Sequence, residues 1–186
     1  VLVDNRTNAP ALETEHGLSI LLEMEHHRIL LDTGASDMLI RNAERLGIDL
    51  GTVDYVFISH GHSDHAGGLK NFMAINDKAK IIVSPYALSG KFYSKRRYLH
   101  SITTEWPEIP SERLLPIEQS GWITNDLYII ARIPQVHPMP KGNKRQTENT
   151  SLTTSVMNWP SIPTDCCLRA VPTADWRIFL RPRLFQ

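Results

Sequence analysis

Residues 57–69 read FISHGHSDHAGGL. Three histidines and one aspartate fall between His60 and His65, directly after an apolar run. In an extended segment, residues two apart project to the same side, so His60 and His62 can reach one ion. Asp64 and His65 follow where the chain turns toward a helix, and can reach a second point nearby. Imidazole nitrogen and carboxylate oxygen together suit zinc, and also manganese or iron. Small Gly61 and Ser63 let the backbone fold closely around an ion, and Gly67 and Gly68 are expected to supply unusual backbone angles. A lone histidine is more often a surface or satisfied core residue than a ligand, and His16, His26, His27 and His100 take that reading. A four-member cluster at this spacing, after a buried strand, points to a metal instead.

The flanking sequence supplies a scaffold. VLVD (1–4) reads as a first strand, and LSILLEME (18–25) and RILLDTG (28–34) as two more around the polar turn His26-His27. Ser36 or Asp37 caps a helix through Leu46, with Met38, Leu39, Asn42, Ala43 and Leu46 at helical spacing and Gly47 as its stop. YVFIS (55–59) is a buried strand, HGHSDHAGG a loop, and LKNFMAI the start of a helix. KIIVS (80–84) is a strand, and a helix opens at Pro85. RLLPIE (113–118) and DLYIIARI (126–133) are later strands. Strands early, then mixed elements, predict sheets with helices packed outside, an α/β or α+β protein.

Composition narrows the function. The chain has 186 residues, about one domain, and 41% hydrophobic against 22% charged residues is the balance of a globular protein with a core. Lys+Arg and Asp+Glu are equal at 20 each, which leaves no net field to recruit nucleic acid or an anionic membrane. The basic run KFYSKRRY (91–98) reads as a solvated surface, although Lys91, Lys95, Arg96 and Arg97 could meet an anionic substrate. No apolar run approaches a membrane span, and no signal peptide is visible in a chain that opens at Val1. The two cysteines, Cys166 and Cys167, are adjacent and form no disulfide framework, which fits a reducing cytoplasm.

HGHSDH resembles the His-x-His-x-Asp-His motif of the metallo-β-lactamase superfamily. LLDTG (30–34) is similar to the Asp-Thr-Gly strand end upstream of that motif. More narrowly, VLVDN, EHGLSILLE, ILLDTGASDMLIRNAERLGIDL and VDYVFISHGHSDHAGGL resemble its branch of dihydropterin-aminobenzene-phosphate synthase-like (methanopterin-synthase-like) metallohydrolases. The resemblance covers roughly residues 1–146 and implies a four-layer αββα sandwich with the metals at one edge. It implies two divalent ions, zinc foremost with manganese or iron as alternatives. His60 and His62 would hold the first, and Asp64 and His65 the second. It places Asp64 and Asp32 in the catalytic set, Asp32 by orienting a ligand histidine or loop. The implied nucleophile is a hydroxide bridging the ions, and the ions would also steady the developing oxyanion.

The chain also departs from that branch. Later ligands are usual there, in an Asp/His-Glu-Leu strand and a Gly-Cys-Ser-His segment, and neither is present. His137, in IPQVHPMP, is the only histidine after His100, and a loop role for it is at least as well supported as a ligand role. From about 147 onward strand and helix periodicity fades. Met and Trp have single codons, so shifting the frame across Val156-Met157-Asn158-Trp159-Pro160 forces Glu-Leu-Ala after a first position that permits His or Asp. Shifting Arg169 to Thr173 permits Ser-Gly-Cys-Ser-His. The expected organisation is therefore a metallo-β-lactamase-like domain over 1–146, incomplete at its C-terminal side, and an out-of-frame tail over 147–186.

Two functions from different classes follow. One is a metal-dependent hydrolase, or related transferase, acting on a small phosphorylated or ester-like metabolite, with no nucleic acid or membrane partner. The other is a non-catalytic remnant of such an enzyme, a metal-binding or an inactive, misfolded fragment. A weaker third rests on LLDTGAS, which also matches a retroviral-type aspartic protease that would pair Asp32 across a dimer. That reading leaves HGHSDH unexplained.

Overall fold

The computed structural model describes residues 1–94 and 98–131 in full and the backbone of Lys95 and of Trp176–Leu180. The chain divides into two compact units, Val1–Pro116 and Ile117–Gln186.

The first unit is built on a five-stranded sheet. Its strands are β1 (Ile20–Glu23), β2 (Arg28–Leu31), β3 (Tyr55–Phe57), β4 (Lys80–Val83) and β7 (Leu114–Pro116), side by side in that order. β1 and β2 form an antiparallel hairpin. From β2 onward every neighbour is parallel, and each crossover carries helix. Helix α1 (Met38–Arg45) links β2 to β3, helices α2 (Ser63–Ala66) and α3 (Leu69–Ile75) link β3 to β4, and α4 (Pro85–Ser89) follows β4. The register aligns Leu30, Val56 and Ile81 on one face, and these pack with Leu39 and Ala43 of α1 and Leu69 and Phe72 of α3. Ile29, Phe57 and Ile82 are buried as well. Strands buried on both sides read as continuous apolar runs, which is why YVFIS and KIIVS show no alternation.

Local signals explain most boundaries. Asp37 occupies the N-cap of α1 but makes no side-chain cap bond. The Ser36 hydroxyl accepts from the Met38 N–H instead, at 3.1 Å. Gly47, with φ +67°, ends the helix. Ser84 caps α4 by accepting from the Tyr86 N–H, with Pro85 in the first turn. Leu46, expected on the buried stripe of α1, is 48% exposed, because it is the C-cap and lies past the last helical turn that packs.

Three elements differ from the sequence expectation. VLVD forms only an isolated bridge, Val3 to Ser19, although Leu2 and Val3 are buried. The HGHSDHAGG segment is not all loop, since Ser63–Ala66 makes the single turn α2. A hairpin of β5 (Tyr93–Lys95) and β6 (Leu99–Ser101) stands where the helix from Pro85 was expected to continue. Gly67 and Gly68 have ordinary right-handed helical angles, contrary to the expectation of unusual ones. Their lack of a side chain serves a close approach instead: a Cβ on Gly68 would run into the carbonyl oxygens of Thr33 and Ser36.

The second unit contains a three-stranded antiparallel sheet of β8 (Gly121–Trp122), β9 (Leu127–Ala131) and β10 (Trp176–Leu180), with β9 in the middle. β10 lies within the stretch read as an anomalous tail. The expected boundary at 147, His137, Cys166, Cys167, Arg96 and Arg97 all lie outside the described residues. Among the described residues, no helix is long and apolar enough to cross a membrane.

Candidate metal centre

The cluster sits at the carboxyl ends of β2 and β3, the end of a parallel sheet where ligands characteristically bind. Asp32 ends β2 in a left-handed backbone conformation, φ +55°. Aspartate tolerates that region better than most residues. Its N–H donates to the Phe57 carbonyl (2.9 Å) and its carbonyl accepts from the Ser19 hydroxyl (2.9 Å). The twist turns the side chain back beneath the next strand end, where it is fully buried. Oδ1 accepts from the Ser59 N–H at 2.7 Å. Oδ2 accepts from the Ser59 hydroxyl at 2.7 Å and lies 2.7 Å from His65 Nδ1.

The DTG strand end and the histidine turn are knitted together. The Thr33 N–H and hydroxyl both donate to the His65 carbonyl, at 2.7 and 3.1 Å. Gly34 bridges to Ala66. The other side is held by the segment after β6, where His62 bridges to Thr103 and the Thr104 N–H donates to the Gly61 carbonyl at 3.0 Å.

Within this frame the three imidazoles meet. The His60 ring lies between the other two, with centroids 4.3 Å from His62 and 4.2 Å from His65. His60 and His65 are each 6% exposed. Asp64 Oδ2 is 3.7 Å from His65 Nε2. The fold thus brings together the residues expected as two pairs, His60 with His62 and Asp64 with His65, with the His60 ring close to both other imidazoles.

Burial, reinforced by repulsion from its two imidazole neighbours, pushes the His60 pKa well below its ordinary value. Burial also lowers His62, despite the pull of Asp64. For His65, burial works against the cation, but the hydrogen bond and charge of Asp32, with Asp64 adding, outweigh it and raise the pKa.

Sequence reasoning passed over three residues that the fold brings here. His16, read as a surface or satisfied core histidine, holds Nε2 3.4 Å from Asp64 Oδ2, with Nδ1 3.2 Å from Asn5 Oδ1. Its loop is pinned: Glu15 accepts from Ala35 N–H, Ser36 N–H and the Ser36 hydroxyl, and Leu18 N–H donates to the Asp64 carbonyl. Phe92 stands edge-on to His62, centroids 5.0 Å apart. Ser59 links Asp32 to His60, its hydroxyl 2.8 Å from His60 Nδ1. Ser59 adjoins His60 in sequence, but its bonds to Asp32, like the approach of His16 and Phe92, exist only in the folded chain.

The donors fit a divalent metal in kind. His60 and His65 each have Nδ1 engaged by a protein partner, which leaves Nε2 as the remaining donor, the arrangement metal-binding histidines favour. The spacing is tighter than a loaded site. Two imidazoles on one tetrahedral zinc have centroids about 5 Å apart, so these rings would part by roughly 1 Å. Among the described residues no three His, Cys, Asp or Glu side chains are set to hold an ion as they stand. Asp32 has no free face toward a cleft, so the shared-carboxylate geometry of an aspartic protease is not what this strand end builds.

Comparison with known proteins agrees with this layout. The description "Metallo-beta-lactamase superfamily" matches residues 13–141. An uncharacterized protein of Methanocaldococcus jannaschii is 34% identical over 139 residues, covering 73% of this chain and 53% of that protein. The same organism's 7,8-dihydropterin-6-methyl-4-(beta-D-ribofuranosyl)-aminobenzene-5'-phosphate synthase is 33% identical over 92 residues, 46% of this chain and 31% of the enzyme. A solved metal-dependent hydrolase of the beta-lactamase superfamily superposes with TM-score 0.59 at 28% identity, over 80% of this chain and 55% of that one. The chain thus spans about half the length of the first relative and of this solved structure. A mixed α/β sheet with HGHSDH at its strand ends, matched over most of its described length, belongs to the metallo-β-lactamase superfamily.

Proposed function

We propose that this chain binds divalent metal through His60, His62, Asp64 and His65 and serves a hydrolase, or related transferase, acting on a small phosphorylated or ester-like metabolite. The observation that carries the proposal is the convergence of two buried imidazoles, one half-buried imidazole and one carboxylate at the ends of β2 and β3, with His65 oriented by buried Asp32. Bound metal would supply Lewis acidity and lower the pKa of water. The chain's own contribution is positional. Asp32 holds His65, burial keeps His60 neutral and ready to donate its lone pair, and Asp64 stands at the more open side, 23% exposed. Two ions, zinc foremost, are proposed on superfamily grounds. A cytoplasmic setting and freedom from nucleic acid are proposed on the adjacent cysteines and balanced charge.

The substrate class follows the resemblance to the aminobenzene-phosphate synthase, over 31% of that enzyme. A second reading, a metal-binding chain without turnover, stands beside it, because no three His, Cys, Asp or Glu side chains among the described residues are set to hold an ion as they stand. Measuring zinc and manganese content beside phosphodiesterase and esterase turnover separates the two. Stoichiometric metal with turnover supports the enzyme, metal without turnover supports the second reading, and absent metal contradicts both.

A further inference from the structure

Ser59 is 1% exposed and makes three short contacts in a row. Its N–H donates to Asp32 Oδ1, its hydroxyl lies 2.7 Å from Asp32 Oδ2, and the same hydroxyl lies 2.8 Å from His60 Nδ1. A serine hydroxyl has one proton to give, and a carboxylate only accepts. Two oxygens 2.7 Å apart need a proton between them, so the Ser59 proton belongs to Asp32. The hydroxyl must then accept from His60, which puts a proton on Nδ1 and leaves Nε2 bare. His65 donates to the same carboxylate from its own Nδ1, 2.7 Å away, and its Nε2 is left facing Asp64.

We infer that Ser59 is a positioning residue that relays the orientation set by Asp32 to His60, so that one buried carboxylate selects the bare nitrogen on two imidazoles. The use of those bare nitrogens rests on the metal-binding reading above; the tautomers themselves do not. Replacing the carboxylate by an amide inverts the chain of donors. The amide nitrogen in place of Oδ2 donates to both Ser59 and His65, the Ser59 hydroxyl then donates to His60 Nδ1, and both imidazoles move their proton to Nε2.

The test is long-range 1H–15N correlation of histidine-labelled, chelator-stripped protein at alkaline pH, where the imidazoles are neutral. The wild-type chain is expected to show the proton on Nδ1 of both His60 and His65. Ser59→Ala should move His60 toward the Nε2–H form and leave His65 unchanged, because the His65 bond to Asp32 is direct. Ser59→Thr, which keeps the hydroxyl, should restore the wild-type pattern, and Asp32→Asn should invert both residues. A merely space-filling Ser59 would leave every tautomer where it was. Wild-type His60 with its proton on Nε2, or a Ser59→Ala spectrum identical to wild type, overturns the inference, and the wild-type spectrum decides even if a variant fails to fold. In parallel, zinc chloride titrated against a competing chelator should bind Ser59→Ala about 10–100-fold more weakly. Nδ1–H tautomers in a wild-type chain that takes up no zinc would support the relay and sink the metal reading.

Discussion

Asp32 concentrates the physics of the site in one side chain. It is fully buried, adopts positive φ, and accepts from the Ser59 N–H, the Ser59 hydroxyl and His65 Nδ1. Asp32→Ala strands those donors and puts alanine in a left-handed conformation that suits it poorly. Each unmet buried group costs about 1–3 kcal/mol, and relaxation recovers part, so a net loss of order 3 kcal/mol is expected in urea unfolding. The histidines give the metal-free chain a pH dependence whose sign differs between them. For His60 and His62, folding lowers the pKa, so between the lowered values and the ordinary 6.5 the unfolded chain holds more protons. Their contribution to stability is present above that interval and lost as pH falls through it. For His65 the folded pKa is raised, so its contribution is complete below 6.5 and lost as pH rises through the raised value. Urea midpoints measured from about pH 7 down to pH 5 should fall, and His60→Gln should flatten that acid limb. The cluster itself was legible in sequence because its donors are contiguous. The roles of His16, Ser59 and Phe92 were not, because the approach of His16 to Asp64, of Ser59 to Asp32 and of Phe92 to His62 joins segments far apart in sequence.

Helices and strands were read well where burial imposes a period and poorly where pairing does the work. The stripe of α1 was visible because Met38, Leu39, Asn42 and Ala43 recur at helical spacing and are all buried. Asn42 belongs to that stripe for a polar reason: its amide donates to the Leu2 and Glu13 carbonyls and accepts from the Glu13 N–H. Asn42→Leu fills the same volume but leaves those backbone groups unmet, and a loss of about 2 kcal/mol is expected in thermal or urea unfolding. The β5–β6 hairpin carries no apolar alternation that separates it from a polar loop, and β6 is exposed throughout. It was therefore invisible before the structure, yet the strand end that follows it closes the histidine turn from one side. Gly68 shows the opposite case, a residue recognised as special for the wrong reason. Gly68→Ala keeps the allowed angles but forces a methyl group against the Thr33 and Ser36 carbonyls. A destabilisation of about 1–3 kcal/mol, with weakened metal uptake, is the expected result.

The whole chain carries its histidine cluster at the strand ends and spans about half the length of the first relative and of the solved hydrolase. The parallel sheet of Val1–Pro116 was predictable because YVFIS, KIIVS and RILL are continuous apolar runs joined by helical segments. The small sheet of the second unit was only partly predictable: DLYIIARI was plain, while Trp176–Leu180 lies in a stretch whose sequence shows no sustained alternation. Metal that binds only the folded chain must stabilise it, by about 2.7 kcal/mol when free metal is 100 times Kd. The most direct test is calorimetric titration of zinc into chelator-stripped protein, with His60→Ala and His65→Ala beside it. Saturable binding of at least one ion per chain, lost in both variants, is the predicted result. No binding to the wild-type chain, or binding that survives both substitutions, would contradict a metal site at the ends of β2 and β3.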